Sequence, residues 1–219
     1  VLGASARLAR EGFRVALVPA TAGGQLDLDA LAAALDEQTA VVSVMLVNNE
    51  TGIVQPLAEV AALVREHAPR AVLHTDAVQA PQWLDIRLHA APADLVAISG
   101  HKFGGPKGTG ALIVRGGVPL VPLIEGGGHE HGRRAGTQNV AGAVAFATAL
   151  RVTDEHRTGE TARIADLRDR FERELAARVA GFAVNGDHTH RVAGVLHAAF
   201  PGVEAEALQP PVEVEARRG

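Results

Sequence analysis

The 219 residues contain no cysteine. A disulfide, a thiolate metal site and a thiol nucleophile are all excluded. Long hydrophobic runs are lacking too. The longest stretches, such as Val41 to Val47, fall far short of the roughly 20 apolar residues that span a bilayer, and no charged leader region opens the chain. Neither sign of charge dominates: Lys plus Arg number 21, Asp plus Glu 25, and the net charge is −4. The arginines are scattered rather than gathered into one basic run, which argues against nucleic acid as a partner. What the chain does have is a hydrophobic content of 47%, enough for one large domain or a domain plus part of another. A soluble, cytoplasmic, globular protein without membrane contact is expected. An initiator Met is also absent. VLGASARLAREG reads as a helix already under way, without an N-cap residue, as though the chain were a piece of something longer.

Helical and strand patterns alternate through the first two-thirds, which predicts a mostly parallel sheet between helices, an α/β fold. Gly12 should end the first helix as a C′ residue. Phe13 to Val18 reads as a strand, and Asp27 with Leu28, Leu31 and Leu35 as a capped amphipathic helix. The continuous apolar run 40–47 predicts a strand buried on both faces. Pro56 suits the first turn of the helix that follows. Residues 71–76, 94–100 and 110–115 are further strands, and 124–139 is a loop too rich in glycine and charge to be core. Helices are expected from about Val140 through Val179, with the charged stretch Thr153 to Arg163 as a hinge. FAVNG and VLHAAFPG read as short strands of a second, α+β region. A helix start at EAEAL is broken by two prolines, and fraying is expected after about Gln209.

Chemistry concentrates in three loops that follow three strands: NNETG, DAVQ and SGHK. In an open α/β sheet, ligands bind outside the carboxyl ends of the strands. Topology alone therefore predicts that Asn49, Asp76, Gln79, Ser99, His101 and Lys102 share one crevice. The P-loop pattern does not fit, because Pro106 precedes Lys107 and Gly108 follows it; the dinucleotide fingerprint fails at Ile113, where a third glycine belongs. A Schiff-base lysine remains, a nucleophile that joins an aldehyde cofactor and is displaced by a substrate amine. Pyridoxal phosphate needs an acid beside its pyridine nitrogen and donors for its phosphate. Asp76 can supply the first, Ser99 and His101 the second. Blander roles stand beside these. Lys102 could be a surface lysine in a glycine-rich loop, Asp76 could cap the next turn, and Asn49 and Glu50 could be turn formers. His74 is expected to be packed rather than catalytic. Arg133 and Arg134 suit either solvent or an anion. The pairs His129/His131 and His188/His190 show no carboxylate or thiolate at a known ligand spacing, so no metal is expected.

SGHKFGGPKGTGAL, HTDAVQ, VNNETG and GGGHEHGRRAGTQN resemble, in order and spacing, the cysteine desulfurases of the class V aminotransferase group. The similarity runs from residue 1 to about Leu208. The resemblance implies a fold-type I pyridoxal-phosphate large domain over residues 1–157 and the start of a small domain over 158–219. It implies that Lys102 is the lysine bound to the cofactor, that Asp76 partners the ring nitrogen, that Asn49 and Gln79 touch ring substituents, and that Ser99 and His101 hold the phosphate. Thr137 is implied to reach the neighbour's phosphate across a homodimer. The implied reaction converts L-cysteine to alanine and a persulfide, with sulfur passed to an acceptor or scaffold protein for iron–sulfur clusters or thiolated cofactors.

This sequence departs from that family at the loop cysteine that takes the sulfur, which is not among its residues. The ring-stacking histidine and the threonine-bearing phosphate loop would precede Val1, and the substrate-carboxylate arginine would follow the chain's end. The 219 residues are accordingly expected to be the middle of a desulfurase, inactive in sulfur transfer and with apolar surface exposed. Related alternatives are an aminotransferase, a selenocysteine lyase-like enzyme, or a non-catalytic scaffold that binds the cofactor.

Overall fold

A computed structural model describes residues 2–203; the expected helix start at 204–208 and the tail beyond it lie outside the described residues. Helix α1, Leu2–Arg10, ends in a Schellman arrangement: the Phe13 N–H donates to the Leu8 carbonyl and the Gly12 N–H to that of Ala9. Gly12 makes this possible at φ +94°, where a side chain would be strained. Residues 13–19 then run without a ladder partner, and the expected strand at 13–18 does not form. Alternation specifies which side chains share a face, but a strand also needs a hydrogen-bonded neighbour. The described structure offers this segment only an isolated bridge from Ala20 to Leu26.

Helix α2, Leu28–Ala34, starts where Asp27 accepts a hydrogen bond from the Ala30 N–H. Strand β1, Val41–Met45, leads into the NNETG turn, and helix α3, Leu57–His67, returns the chain to strand β2, Val72–Asp76. A short helix α4, Ile86–His89, precedes strand β3, Leu95–Ser99. A 3-10 turn, Gly100–Phe103, and a glycine-rich bend lead to strand β4, Gly110–Val114. The sheet order is β1-β2-β3-β4, with β1, β2 and β3 parallel and β4 antiparallel to β3. This is a mixed α/β fold with a parallel-dominated sheet.

Register divides the sheet into two unlike faces. Val42, Leu73, Thr75, Val96 and Ile98 lie on the buried one, in a core that includes Val60 and Val64 of α3. The opposite face carries Val41 and Ser43, which are exposed, and His74, Asp76, Leu95, Ala97 and Ser99, which are half-buried. The 40–47 run is thus not buried on both sides: Val41 is 61% exposed and Ser43 is exposed. A run of apolar residues gives no period from which to count the covered faces.

Arg65 at the end of α3 fixes that helix against the strands. Its guanidinium donates to both carboxylate oxygens of Asp94 and to the Ala71 carbonyl, while Asp94 also accepts from the Leu73 N–H. Burial alone would raise the Asp94 pKa, but these bonds outweigh it and hold the carboxyl below its ordinary value.

Helix α5 runs unbroken from Val140 to Arg178, begun by Asn139, whose side chain accepts from the Gly142 N–H. Thr153 to Arg163, expected to be a hinge, are part of this helix, with charges paired along its surface, as in Arg157 to Asp154 and Arg163 to Glu160. Strands β5, Ala183–Val184, and β6, Ala198–Ala199, pair antiparallel beyond it. Between them, residues 190–192 dock along 52–54: the Val54 N–H donates to the His190 carbonyl and the Val192 N–H to that of Gly52. Ile53, fully buried, fills the junction.

Two outcomes are expected. The Thr75 Oγ1 is buried and has no hydrogen-bond partner among the described residues. Thr75→Val should therefore raise unfolding stability, by about 1 kcal/mol in urea titration, because it removes an unpaired hydroxyl at nearly constant shape. At the α4–α5 contact, hydrogen bonds from Arg87, with Arg157 nearby, hold the Asp85 carboxyl at about 2, against an ordinary value of 3.8. A depressed carboxylate stabilises above its unfolded pKa and loses that contribution as pH falls through the folded one. Thermal melts should find Asp85→Asn less stable than wild type at neutral pH, the gap closing between about pH 4 and pH 2.

Candidate functional site

Gly100 sets the geometry of the lysine loop. Its N–H donates to the Thr109 carbonyl, and its own carbonyl accepts from Gly105, so the chain after β3 doubles back on itself within a few residues. A Cβ on Gly100 would stand 2.4 Å from Thr109 Oγ1 and 3.0 Å from the Phe146 ring. Gly104 turns the chain at φ +82°, and a Cβ on Gly110 would meet the Ile98 carbonyl at 2.9 Å. Gly110 is therefore required for close approach to backbone, Gly100 for close approach to the Thr109 and Phe146 side chains, and Gly104 for its left-handed conformation.

Phe103 locks the turn from beneath. It is buried, its ring meets that of Phe146 at a centroid distance of 5.3 Å and an interplanar angle of 68°, and its carbonyl accepts from Thr153 Oγ1 of α5. Lys102 thus sits half-buried between a buried anchor and the exposed His101.

Asp76 is the last residue of β2 and Ser99 the last of β3. Asp76 pairs with Ala97, and Ser99 lies two residues further along the same face. The carboxylate, the hydroxyl and the lysine turn are therefore brought to the carboxyl edge of adjacent strands. Asp76 Oδ1 accepts from the Val78 N–H, which is the turn-capping role, and Oδ2 has no protein partner among the described residues. Ser99 Oγ is 2.9 Å from His101 Nδ1. Gln79 is half-buried in the turn after β2.

In the NNETG turn it is Asn48 that builds the loop, its Oδ1 accepting from the Glu50 and Thr51 N–H groups. This leaves the exposed Asn49 amide without a partner among the described residues, at the end of β1. Thr137 is exposed beside Gln138, whose loop lines an open cleft of about 560 Å³ with His129, Glu130 and His131. No hydrogen bond among the described residues ties it to the other candidates.

An amine, a carboxylate with a free oxygen, and a hydroxyl–imidazole pair are the donor set that pyridoxal phosphate calls for, and these residues fit it. The second histidine pair behaves differently. His190 Nδ1 lies 3.0 Å from Asp187, and His188 Nδ1 is 3.4 Å from Glu172, which also binds the buried Arg191. Among the described residues no group of three or more His, Cys, Asp or Glu could hold a metal ion. Nor is any described helix long and apolar enough to cross a membrane. The Glu172–Arg191 tie was invisible in the sequence, because it joins α5 to a distant loop with no periodic signal between them.

A family model for aminotransferase class-V matches residues 2–213. A cysteine desulfurase of Gluconacetobacter diazotrophicus is 43% identical over 197 residues, 90% of this chain and 49% of the relative. A solved NifS-like protein superposes with a TM-score of 0.90 at 35% identity, covering 95% of this chain and 57% of its own. A structure described as SspA in complex with cysteine gives a TM-score of 0.76 at 30% identity, covering 91% of this chain and 55% of its own. The chain spans about half the length of the curated relatives it matches.

Gly100→Ala should displace the lysine turn without unfolding the sheet. Amide hydrogen exchange should quicken at Gly105, which bonds the Gly100 carbonyl, while the β1–β2 ladder stays protected. Unchanged exchange at Gly105 would contradict the close-approach argument.

Proposed function

Because the chain belongs to the class V aminotransferase family, we propose that the carboxyl edge of β1, β2 and β3 holds pyridoxal phosphate for cysteine desulfurase chemistry on L-cysteine. The carrying observation is the convergence of Lys102, Asp76 and Ser99 at neighbouring strand ends. When bound, the cofactor supplies an electron sink for bonds broken at the amino acid's α-carbon. Lys102 Nζ would anchor it and could take and return a proton beside it. Asp76 Oδ2 would hold the proton on the ring nitrogen, while the Val78 N–H keeps the carboxylate oriented through Oδ1. Ser99 and His101 would hold the phosphate, and Asn49 and Gln79 would meet the ring substituents.

Thr137 is assigned to the site of a second copy in a homodimer, which suits its exposure. Residues 1–157 form the cofactor-binding domain and 158–219 part of the smaller one; this division falls within α5, so the two are joined by a continuous helix rather than a linker. The setting is cytoplasmic, and the sulfur serves an acceptor or scaffold protein building iron–sulfur clusters or thiolated cofactors. The 219 residues hold no cysteine, so within them no thiol can take the sulfur. A second reading, for the 219 residues taken by themselves, is cofactor binding without sulfur transfer.

Mixing the purified chain with pyridoxal phosphate should produce visible absorbance that Lys102→Ala abolishes and Asp76→Asn shifts. A folded wild type without the band would remove the proposal. Alanine release from L-cysteine above the rate of free pyridoxal phosphate would instead remove the second reading.

A further inference from the structure

Ser43 and His74 take no part in the roles just assigned, yet they form a polar pair on the same sheet face as Asp76. The two residues are in register across β1 and β2, with Ser43 Oγ 2.8 Å from His74 Nδ1. Asp76 follows His74 by two residues on one strand, a separation of about 6.6 Å between Cα atoms. The neighbouring strand β3 sets Leu95 opposite His74 and Ala97 opposite Asp76, neither of them titratable. Ser99 and His101, bonded to each other, lie further along, at the edge. The charge His74 meets is that of Asp76.

Burial holds the half-buried imidazole below its ordinary pKa of 6.5, against the opposing pull of Asp76, so the ring is mainly neutral at pH 7. That distinction matters for the carboxylate. A cation beside Asp76 would compete with the ring nitrogen for its charge. A neutral, oriented dipole stabilises the anion and leaves the charge available. When the serine hydroxyl donates to Nδ1, the ring must carry its proton on Nε2.

We propose that Ser43 and His74 are positioning residues that act through Asp76: the serine hydroxyl fixes the imidazole as its Nε2–H tautomer, and that ring presents a neutral dipole, rather than a cation, on the sheet face that carries the carboxylate. The inference deepens the proposed function and rests on it. A histidine that only fills space would have no reason to keep one tautomer, nor to be coupled to the carboxylate two residues on.

The test uses the full chain in two states. Without cofactor, nitrogen-15 NMR of the histidine side chains should show His74 with its proton on Nε2, a preference lost in Ser43→Ala. In Asp76→Asn the His74 pKa should fall, because an opposite charge has been removed. A ring protonated on Nδ1, or a titration that Asp76→Asn leaves in place, overturns the inference. With pyridoxal phosphate added, the pH midpoint of the Lys102-dependent band should move in both Ser43→Ala and His74→Asn, and His74→Gln, which keeps an N–H near the Nε2 position, should restore it in part. A midpoint common to wild type, Ser43→Ala and His74→Asn overturns the inference and leaves the proposed function standing. A folded wild type without the band sinks both.

Discussion

Backbone contact at Gly100 is the constraint from which the site's geometry follows. Two hydrogen bonds, to Thr109 and from Gly105, fold the chain tightly enough that no Cβ fits. The fold-back pushes Phe103 under α5 and leaves Lys102 at the rim of the sheet. A lysine on a loose loop would lose the benefit of a fixed approach to its neighbours, since orientation supplies much of what such a group contributes. The same turn makes β4 antiparallel, because a tight loop can only return the chain alongside the strand it left.

The unequal faces of the sheet divide stability from chemistry. On one face, Val42, Leu73, Val96 and Ile98 belong to the same buried core as α3. On the other, Ser43, His74, Asp76 and Ser99 bring polar groups toward the carboxyl edge, each at a position that register alone assigns to that face. Polar side chains in such numbers would be costly under a helix. Half-buried or exposed, they can pair with one another and still meet a ligand.

A second contact region ties the NNETG turn to the far end of the chain. Residues 190–192 pair with 52–54, Gly52 leaves room for Val192 and Val195, and Gly194 leaves room for the Trp83 ring. The Glu172–Arg191 pair fastens the same segment to α5, whose continuity carries the constraint from the Lys102 turn to β5 and β6. The Asn49 turn is thereby held from both sides of the fold.

The alternation of elements, the Asp27 cap, the Gly12 stop and the identity of the lysine turn were legible in the sequence, because each depends on neighbours within a few residues. Local chemistry also marked Asp76 and Ser99 as strand-end groups. Segment 13–18, the exposure of Val41 and the unbroken α5 were not legible, because each depends on what packs alongside: a ladder partner, a covering layer, or enough paired charge for a helix to pass through a polar stretch. The pairing of Ser43 with His74 belongs to the same class. Sequence alone determined which residue types stand at the ends of the strands. Only the tertiary structure decided which of them share a face and touch, since strand register is set by contacts between residues far apart along the chain.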